Sequence, residues 1–468
     1  MHVTWVRGTD HALGLAALAL VAAGAALTLV AAVTGCGGGG SQDDGGVPYL
    51  RDEAGRVVVY RGVNFTGEAK APPDFTVALT DEDLDRMAGW GVTLVRFLVF
   101  WEAIEPTTGV YDEAYLDRME AQIRQLTARG IDVFVDFHQD LFGRGFNSSG
   151  LPRFACTEDL YATYVPRDPW YLNYATPEVS GCFDWFFTHP ELQDSFAAAA
   201  AALAARVADD PRVIAYDPMN EPYFGSAGTA EFEPERLWPF YQTVAASVRA
   251  VAPDALMFLE PSAARNLGFA TALPALGAGD VYAPHYYPQT TETGGYDGDP
   301  TWVRADIAGL ADDAVRLGAP FVLGETGIIH DHDRAGDFMR DLMDALDSHF
   351  ASVTVWDYGR GGGFSLLDAD GNENVTAQAF VRPYAHRIAG TPLSMSFDAA
   401  SGVFAASWAE TGVEAPTEIV LPLRLFPQVV TLGDPRDSYG YDPSAGRLTV
   451  TADPRVATHT ITITMMQQ

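Results

Sequence analysis

The chain has 468 residues, of which 48% are hydrophobic, so it is long enough for two domains and a large core. Its 62 acidic residues outnumber its 29 basic residues, which gives a formal net charge of −33 at pH 7. Such a surface argues against nucleic-acid partners, because phosphate binding needs clustered Lys and Arg, and it disfavours electrostatic docking on anionic lipid.

The N-terminal segment has the pattern of a secretory signal. Arg7 precedes an alanine-rich apolar stretch over residues 13–33, which ends in Val33-Thr34-Gly35-Cys36. This ending resembles the lipobox of bacterial lipoproteins, which implies a signal peptide over 1–36, lipidation of Cys36 and a Gly-rich tether over 37–47. The alternative is an uncleaved membrane anchor, since the stretch is long enough to span a bilayer. In both cases we expect the rest of the chain outside the cytoplasm, lipid-anchored to a bacterial cell envelope or secreted.

Eight short apolar runs predict buried strands, and helical patterns fill most of the gaps. Thr80 is a predicted N-cap, and residues 112–129 have apolar positions at helical spacing and end at Gly130. Buried strands alternating with helices indicate an α/β fold with a parallel sheet, and eight units fit one (β/α)8 TIM barrel, which we place at residues 48–389. The predicted strands are residues 57–65, 93–100, 132–137, 213–216, 256–259, 281–287, 321–323 and 352–356.

The gap between the third and fourth predicted strands, residues 141–190, is too long for one helix and is rich in aromatic residues. It contains Cys156 and Cys182, which should pair in an oxidising compartment and contribute about 3–4 kcal/mol in the chain-entropy model. Two free thiols are the alternative. We expect this segment over the active face of the barrel, either as a packed lid that only protects the barrel or as a wall that stacks sugar rings or holds a lipid.

The pattern changes past about Gly390. Short alternating segments over residues 402–408, 417–425, 447–451 and 459–464 are separated by Gly, Pro and Asp turns. They predict a small antiparallel β-sandwich over residues 390–468. It could bind membrane, bind sugar or brace the barrel, and we favour bracing.

Two glutamates follow predicted strands directly. Glu221 comes after the fourth run, within residues 217–222, and Glu325 comes after the seventh, within 321–327. In a closed barrel the C-terminal ends of the strands line the active site. Two carboxylates there are the equipment for glycoside hydrolysis, in which one protonates the leaving oxygen and the other attacks the sugar carbon.

These residues and several others at strand ends resemble glycoside hydrolase family 5. The residues that carry the resemblance are Asn220-Glu221-Pro222, Glu325, Arg96, His138, His285, Tyr287 and Trp356. Within that family the chain is similar to the endoglycoceramidases over residues 48–468, on the segments 136–140, 285–287 and 382–384. Those enzymes cut between the oligosaccharide and the ceramide of glycosphingolipids, so the resemblance implies a retaining endo-glycosidase and a glycolipid or oligosaccharide substrate.

The resemblance also implies roles for the two glutamates and their neighbours. Glu221 would be the general acid/base, which must be protonated when substrate arrives, and burial beside an anionic Glu325 favours that form. Glu325 would be the nucleophile, kept anionic and oriented by Arg96 and Tyr287. Asn220 could hydrogen-bond the sugar 2-hydroxyl, a contact that strengthens in the transition state.

The remaining candidates would contact the sugar. His138 and His285 would donate hydrogen bonds to sugar or to the carboxylates, and Trp356 offers a flat face to the sugar at the cleavage site. Asp140 and Lys70, the one lysine of the chain, are further candidates for substrate contact. We expect no metal and no other cofactor, because these histidines lack the spacing of a zinc site and the chemistry needs no Lewis acid.

Three other functions remain open at this point. The chain could be an exo-acting β-glucosylceramidase or steryl-glucosidase, or a family 5 β-glucan or mannan hydrolase. It could also be a non-catalytic carbohydrate-binding lipoprotein, because fold alone never proves activity. The sequence predicts membrane association through an N-terminal lipid and gives no oligomeric state.

Overall fold

The computed structural model describes residues 46–65 and 70–467. Two predicted segments lie outside the described residues: the signal peptide over 1–36, with Cys36, and the tether over 37–47, of which only the last two residues are described. Within the described ranges, no helix combines the length and the apolar character that a membrane crossing requires.

A parallel eight-stranded sheet is built from strands within residues 61–355, in the order β7-β6-β5-β4-β3-β2-β11-β9. Its edges meet through a bridge between Tyr282 and Phe321 and through the parallel pair of β8 and β10, which closes the barrel. The strands are β1 (Val57–Val58), β2 (Arg61–Phe65), β3 (Leu94–Val99), β4 (Asp132–Phe137), β5 (Val213–Asp217), β6 (Leu256–Leu259), β7 (Asp280–Tyr282), β8 (His285–Tyr286), β9 (Val322–Leu323), β10 (Glu325–Thr326) and β11 (Ser352–Val355). The predicted TIM barrel is therefore confirmed.

Helices follow most barrel strands, and several of them begin at a side-chain N-cap. Thr80 and Asp83 form a capping box at α1, as the predicted N-cap required, and Asp112 caps α3, which ends one residue before the predicted limit. The connection from β6 to β7 has only the 3₁₀ turn Ala263–Leu267. The helices are α1 (Asp81–Trp90), α2 (Trp101–Ile104), α3 (Glu113–Ala128), α4 (Glu158–Thr163), α5 (Pro177–Thr188), α6 (Pro190–Val207), α7 (Thr229–Phe232), α8 (Trp238–Arg249), α9 (Gln289–Glu292), α10 (Pro300–Leu317), α11 (Ala335–Ser348) and α12 (Val375–Phe380).

Two antiparallel sheets follow the barrel, in the orders β1-β12-β15-β18-β17 and β13-β14-β19-β16. A buried cluster that includes Trp408, Phe404 and Ile463 fills the space between them. The predicted antiparallel strands are present, although the run over 417–425 divides into two strands of different sheets. The strands are β12 (Tyr384–Ile388), β13 (Thr391–Asp398), β14 (Val403–Ala409), β15 (Thr417–Val420), β16 (Leu425–Leu432), β17 (Ser438–Asp442), β18 (Arg447–Thr451) and β19 (Thr458–Gln467).

The structure differs from the sequence prediction at both ends of the barrel. The predicted strand over residues 57–65 is two strands, because β1 pairs antiparallel with β12 in the second sheet while β2 lies in the barrel. Since β12 starts at Tyr384, that sheet begins before the predicted limit of 389/390. The cause is tertiary: residues 57–65 are buried throughout, and no turn residue separates β1 from β2, so the local sequence does not say which sheet each part joins.

The long segment between β4 and β5 packs as a lid around the disulfide between Cys156 and Cys182, which forms as expected. It contacts the barrel through aromatic pairs, such as Trp101 of α2 with Phe154 and Phe186 at 5.5 and 6.2 Å between ring centroids. Half of its aromatic side chains are buried in the core. Those buried are Phe142, Phe146, Tyr161, Phe183, Phe186 and Phe187.

Candidate active site

Arg96 lies at the centre of a charged network at the C-terminal ends of the barrel strands. Its fully buried guanidinium donates to Asp217 at 2.8 Å, to Glu260 at 3.0 Å and to Glu325, and lies 3.1 Å from Asp136. Burial opposes the charge of Arg96, but these four carboxylates outweigh burial and raise its pKa well above the usual value. One permanent cation thus compensates carboxylates from four other strand ends.

Glu325 of β10 is held as an anion. Arg96 donates to its Oε1, and the Tyr287 hydroxyl donates to its Oε2 at 3.1 Å. Burial alone would raise the pKa of Glu325, but the positive charges of His285 and Arg96, followed by those of His138 and Lys70, lower it below its usual value. An ionised carboxylate fixed by two donors is ready to act as a nucleophile.

Glu221 follows β5 in a strained backbone conformation, with φ at +41°. The Gln139 side chain donates to the carbonyls of Asn220 and Glu221 at 2.8 and 3.1 Å, which holds this turn. The Glu221 Oε1 atom lies 3.0 Å from His285 Nδ1 and accepts from Asn266 Nδ2 at 2.9 Å. Both donors meet the same oxygen, so they fix the orientation of the carboxyl group.

The two glutamates are close neighbours. One carboxylate oxygen of Glu221, one of Glu325 and a ring nitrogen of His285 all lie within 4.8 Å of one another. No water-sized gap separates the glutamates as it would in an inverting glycosidase, where the carboxyl groups are about 6.5–9.5 Å apart. The spacing suits direct attack by one carboxylate and proton donation by the other.

His285 connects the acid to a third carboxyl group, that of Glu260. Its Nε2 lies 3.0 Å from Glu260, whose other oxygen accepts from the backbone N–H of Glu221 at 2.9 Å. Burial lowers the pKa of His285, but the charges of Glu260 and Glu325 outweigh burial and raise it well above the usual value. Burial raises the pKa of Glu260, and the charge of Asp217 adds to that shift. This side of the site therefore keeps protons close to Glu221.

A second group of residues lies beside the network. His138 contacts Asp136 at 2.7 Å and its ring stacks on Trp356 at 5.5 Å between centroids. Lys70 donates to Asp140 at 2.7 Å and lies 4.2 Å from the centre of the Trp356 ring. Burial raises the pKa of Asp140, but the charge of Lys70 outweighs burial and lowers it, so this pair stays ionised. An aromatic face bordered by charged groups suits a sugar ring and its hydroxyls.

The structure brings together every candidate that the sequence analysis named in this region. Asn220 joins the contacts given above, because its Oδ1 accepts a hydrogen bond from Arg96 at 3.0 Å. The ten residues are Glu221, Glu325, Asn220, Arg96, His138, Asp140, His285, Tyr287, Trp356 and Lys70. Sequence reasoning missed Asp217, Glu260, Asn266 and Asn64, whose Oδ1 accepts from Arg96 at 3.1 Å. Glu260 could have been found, because it follows β6 as Glu221 follows β5; Asn266 has no such signal, since it lies on an irregular turn.

Groups of carboxylate and histidine side chains with metal-like spacing also occur here. Within the described part of the chain, Asp136 joins His138 and Glu325, while Asp217 joins Glu260 and His285. The guanidinium of Arg96 contacts a carboxylate of each group. That fixed positive charge repels a divalent cation, so the donor set fits internal ion pairing better than a metal.

Comparison with known proteins agrees with this geometry. Residues 52–362 match the family model of Cellulase (glycosyl hydrolase family 5), and residues 382–464 match the Glycoside hydrolase family 5 C-terminal domain. Endoglycoceramidase I of Rhodococcus hoagii is 29% identical over 434 residues, which cover 88% of this chain and 84% of that protein.

Solved structures resemble the whole described part of the chain. Endo-glycoceramidase II from Rhodococcus sp., in its ganglioside GM3 complex, is 31% identical with a TM-score of 0.81, covering 89% of this chain and 99% of that one. Cryptococcus neoformans sterylglucosidase 1 is 17% identical, with a TM-score of 0.75. The match covers 90% of this chain and 97% of that one, and it shows a shared fold. The chain therefore belongs to glycoside hydrolase family 5 and is a glycoside hydrolase.

Proposed function

We propose that this protein is a retaining endo-β-glycosidase that hydrolyses the bond between the glycan and the ceramide of glycosphingolipids. The observation that carries the retaining mechanism is the placement of carboxylate oxygens of Glu221 and Glu325 within 4.8 Å of each other. Retaining enzymes hold their carboxyl groups about 5–5.5 Å apart, because one must reach the anomeric carbon directly.

In the first step, Glu325 attacks the anomeric carbon while Glu221 transfers its proton to the glycosidic oxygen. The bond from the anomeric carbon to that oxygen breaks, the alcohol leaves, and a covalent glycosyl ester forms on Glu325. In the second step, Glu221 takes a proton from water, which attacks the same carbon and releases Glu325. Two inversions give net retention.

The surrounding residues support these steps in distinct ways. Arg96 and Tyr287 keep Glu325 ionised and aimed, which preorganises the nucleophile before substrate arrives. Asn220 is placed beside Glu221 for the sugar 2-hydroxyl. The remaining contacts to the sugar come from His138, Asp140, Lys70 and Trp356, while His285 bridges the two glutamates.

The substrate class is supported by the relatives. A protein named Endoglycoceramidase I is similar over 88% of this chain. Endo-glycoceramidase II, 32% identical over 89% of this chain, has been solved as a lactosyl-enzyme intermediate, and it is also known in a complex with ganglioside GM3. The arrangement of the two glutamates fits this substrate class. The glycan would lie on the side of Glu325, and ceramide would leave as the alcohol that Glu221 protonates.

The test is product identification. Residues 41–468 are incubated separately with a ganglioside, glucosylceramide and a soluble β-glucan, and the products are identified by mass. Free oligosaccharide plus intact ceramide from the ganglioside is the expected result. Cleavage of glucosylceramide alone would establish an exo-acting lipid glucosidase instead, and cleavage of the glucan alone would contradict the lipid substrate. Glycan binding without turnover would mean a non-catalytic lipoprotein.

We further propose that Cys36 carries a lipid that holds the enzyme on the outside of a bacterial cell envelope. The support is the sequence before Cys36 and the Cys156–Cys182 disulfide, since disulfides persist in oxidising compartments. The full chain and its Cys36→Ser variant, expressed in a bacterial host grown with a radiolabelled fatty acid, test this. The wild type should carry the label and the variant should not; absence of label from the wild type, or equal labelling of both, would contradict lipidation of Cys36.

A further inference from the structure

The turn after β6, residues 262–272, reaches the acid side of the site and offers an unused hydrogen-bond acceptor there. Asn266 Nδ2 donates to Glu221 Oε1 at 2.9 Å. Its other side-chain atom, Oδ1, is buried and has no hydrogen-bond partner among the described residues. A buried acceptor that no protein group uses is available to a hydrogen-bond donor of the substrate.

The turn is firmly supported, so the position of Asn266 is defined before substrate binds. The buried carboxylate of Glu233 accepts from the backbone N–H of Ser262 at 2.7 Å and from the Thr271 hydroxyl at 2.8 Å, which ties both ends of the turn to one point. Arg265 adds an ion pair to Asp313 at 3.0 Å. Such support is what a side chain needs to select one geometry of a substrate.

The location of Asn266 indicates which part of the substrate it meets. Glu325 and its donors Arg96 and Tyr287 surround the position of the anomeric carbon, whereas the Asn266 side chain donates to the acid, Glu221. The acid delivers its proton to the glycosidic oxygen, whose other substituent is the aglycone. A group beyond the acid therefore faces the aglycone.

The chemistry of the turn fits a lipid with polar groups near its glycosidic oxygen. Leu267 and Phe269, immediately after Asn266, are 55% and 38% exposed. Apolar side chains next to a single buried acceptor suit an amphiphile whose hydroxyl or amide N–H lies beside its hydrocarbon chains. Ceramide carries both donors at that position, whereas a sterol carries neither.

We propose that Asn266 has two roles, which rest on the proposed function: its amide N–H positions the acid Glu221, and its Oδ1 accepts a hydrogen bond from a hydroxyl or amide N–H of the ceramide aglycone. Both Asn266 and His285 meet Oε1 of Glu221, and no described residue bonds its Oε2. The proton for the leaving oxygen is thus carried on Oε2. Asn266 is a positioning residue for the acid and a specificity residue for the aglycone.

Three lactosides with one glycan separate these roles. A dinitrophenyl lactoside needs no acid because its leaving group is already a weak base; an alkyl lactoside needs the acid but offers no donor; lactosylceramide needs the acid and offers the donor. For Asn266→Ala we expect kcat/KM unchanged within about twofold on the aryl substrate, about tenfold lower on the alkyl substrate, and about a further fivefold lower on lactosylceramide.

Asn266→Asp is the matched variant, because it keeps an acceptor and loses the donor to Glu221. It should lower the alkyl and ceramide rates together and preserve their ratio. Equal losses on alkyl lactoside and lactosylceramide for Asn266→Ala would overturn aglycone recognition. Equal losses on all three substrates would show that Asn266 has a merely structural role. That result would overturn both the positioning of the acid and the recognition of the aglycone. If the wild type cleaves the two simple lactosides but not lactosylceramide, the proposed function itself fails.

Discussion

At the scale of single residues, the site depends on one buried cation among carboxylates. Arg96 contacts Asp136, Asp217, Glu260 and Glu325, all of them buried. A buried charge is tolerated only when it is paired, so each of these carboxylates relies on the same guanidinium. The ionisation of Glu325 and the stability of the barrel therefore both depend on Arg96.

Arg96→Met should destabilise the protein strongly and abolish activity. Removing one partner of a buried ion pair costs about 3–5 kcal/mol, because the other charges stay buried without compensation. The measurement is the free energy of unfolding from denaturant titration. Arg129→Met is the matched control: Arg129 pairs with Asp81 and Asp85 at the surface, where such pairs contribute about 0–1 kcal/mol. Similar losses in both variants would contradict the central role of Arg96.

Glu325→Gln should lower kcat/KM at least about 10³-fold, because the amide carries neither the charge nor the nucleophilicity of the carboxylate. Glu418→Gln, a change in the second sheet, should leave activity unaltered. Since the pKa of Glu325 is lowered, its anion persists below its usual titration range, and the acid limb of wild-type kcat/KM should lie below about pH 4.5. A variant that retains a tenth of the activity would remove Glu325 from the nucleophile's role.

At the scale of elements, the lid over residues 141–190 illustrates how an irregular segment becomes ordered. Its aromatic side chains pack on α2 and α6: Phe154 lies against Trp101 with ring centroids 5.5 Å apart, and Phe186 lies against Phe196 at 6.2 Å. The disulfide then closes a loop with a sequence separation of 26. The packing and the covalent link act together, which lets a long connection approach the active site without becoming disordered.

The double variant Cys156→Ala/Cys182→Ala should lower the free energy of unfolding by about 3–4 kcal/mol, because the unfolded chain regains the entropy of the open loop. Thermal unfolding and limited proteolysis within the lid are the measurements. A reductant should destabilise the wild type by the same amount and leave the double variant unchanged, which serves as the control. A reductant effect on the double variant would contradict the assignment to this disulfide.

Element positions show where sequence patterns were sufficient. The helix predicted over 112–129 is α3, Glu113–Ala128, because an amphipathic face and an N-cap are local features. The run over 57–65 predicts one strand, because no glycine or proline lies between Val58 and Arg61 to mark the break between β1 and β2. Its division depends on pairing with β12, more than 300 residues later in the chain, which no local pattern reports.

At the scale of the whole molecule, the barrel and the antiparallel sheets share a buried boundary. His386 of β12 lies there against Tyr60, with ring centroids 5.5 Å apart, and its Nδ1 contacts the carbonyl of Val59 at 2.9 Å. Tyr384 also donates from its hydroxyl to the carbonyl of Gly91 at 2.9 Å. The second sheet therefore braces the barrel through buried polar contacts as well as apolar ones.

His386 should make the protein sensitive to acid. Burial, followed by the charges of Arg387 and Arg447, lowers the pKa of His386 well below its usual value, so the folded protein keeps it neutral while the unfolded chain binds a proton below about pH 6.5. Stability is then lost as pH falls below that value, by up to about 1.4 kcal/mol per pH unit. The His386→Gln variant should show a shallower fall between pH 6.5 and 5 in denaturant titrations.

Two other histidines have the opposite influence on the pH dependence of stability. They do not mask the loss of stability that His386 causes below about pH 6.5. The pKa values of His285 and His138 are raised, since neighbouring carboxylates outweigh burial. Their contribution to stability is complete below about pH 6.5 and is lost only as pH rises through the raised values. An equal slope below pH 6.5 in wild type and His386→Gln would show that His386 is not the group responsible.

The sequence by itself determined the fold class, the family resemblance and the two glutamates, because strand periodicity and residues at strand ends are properties of short segments. Tertiary structure alone decided that Asp217 and Glu260 share Arg96 with Glu325, that Asn266 reaches Glu221, and that β1 joins the second sheet. The physical reason is separation along the chain: Arg96 and Glu325 are 229 residues apart, and only closure and register of the barrel bring their side chains into contact.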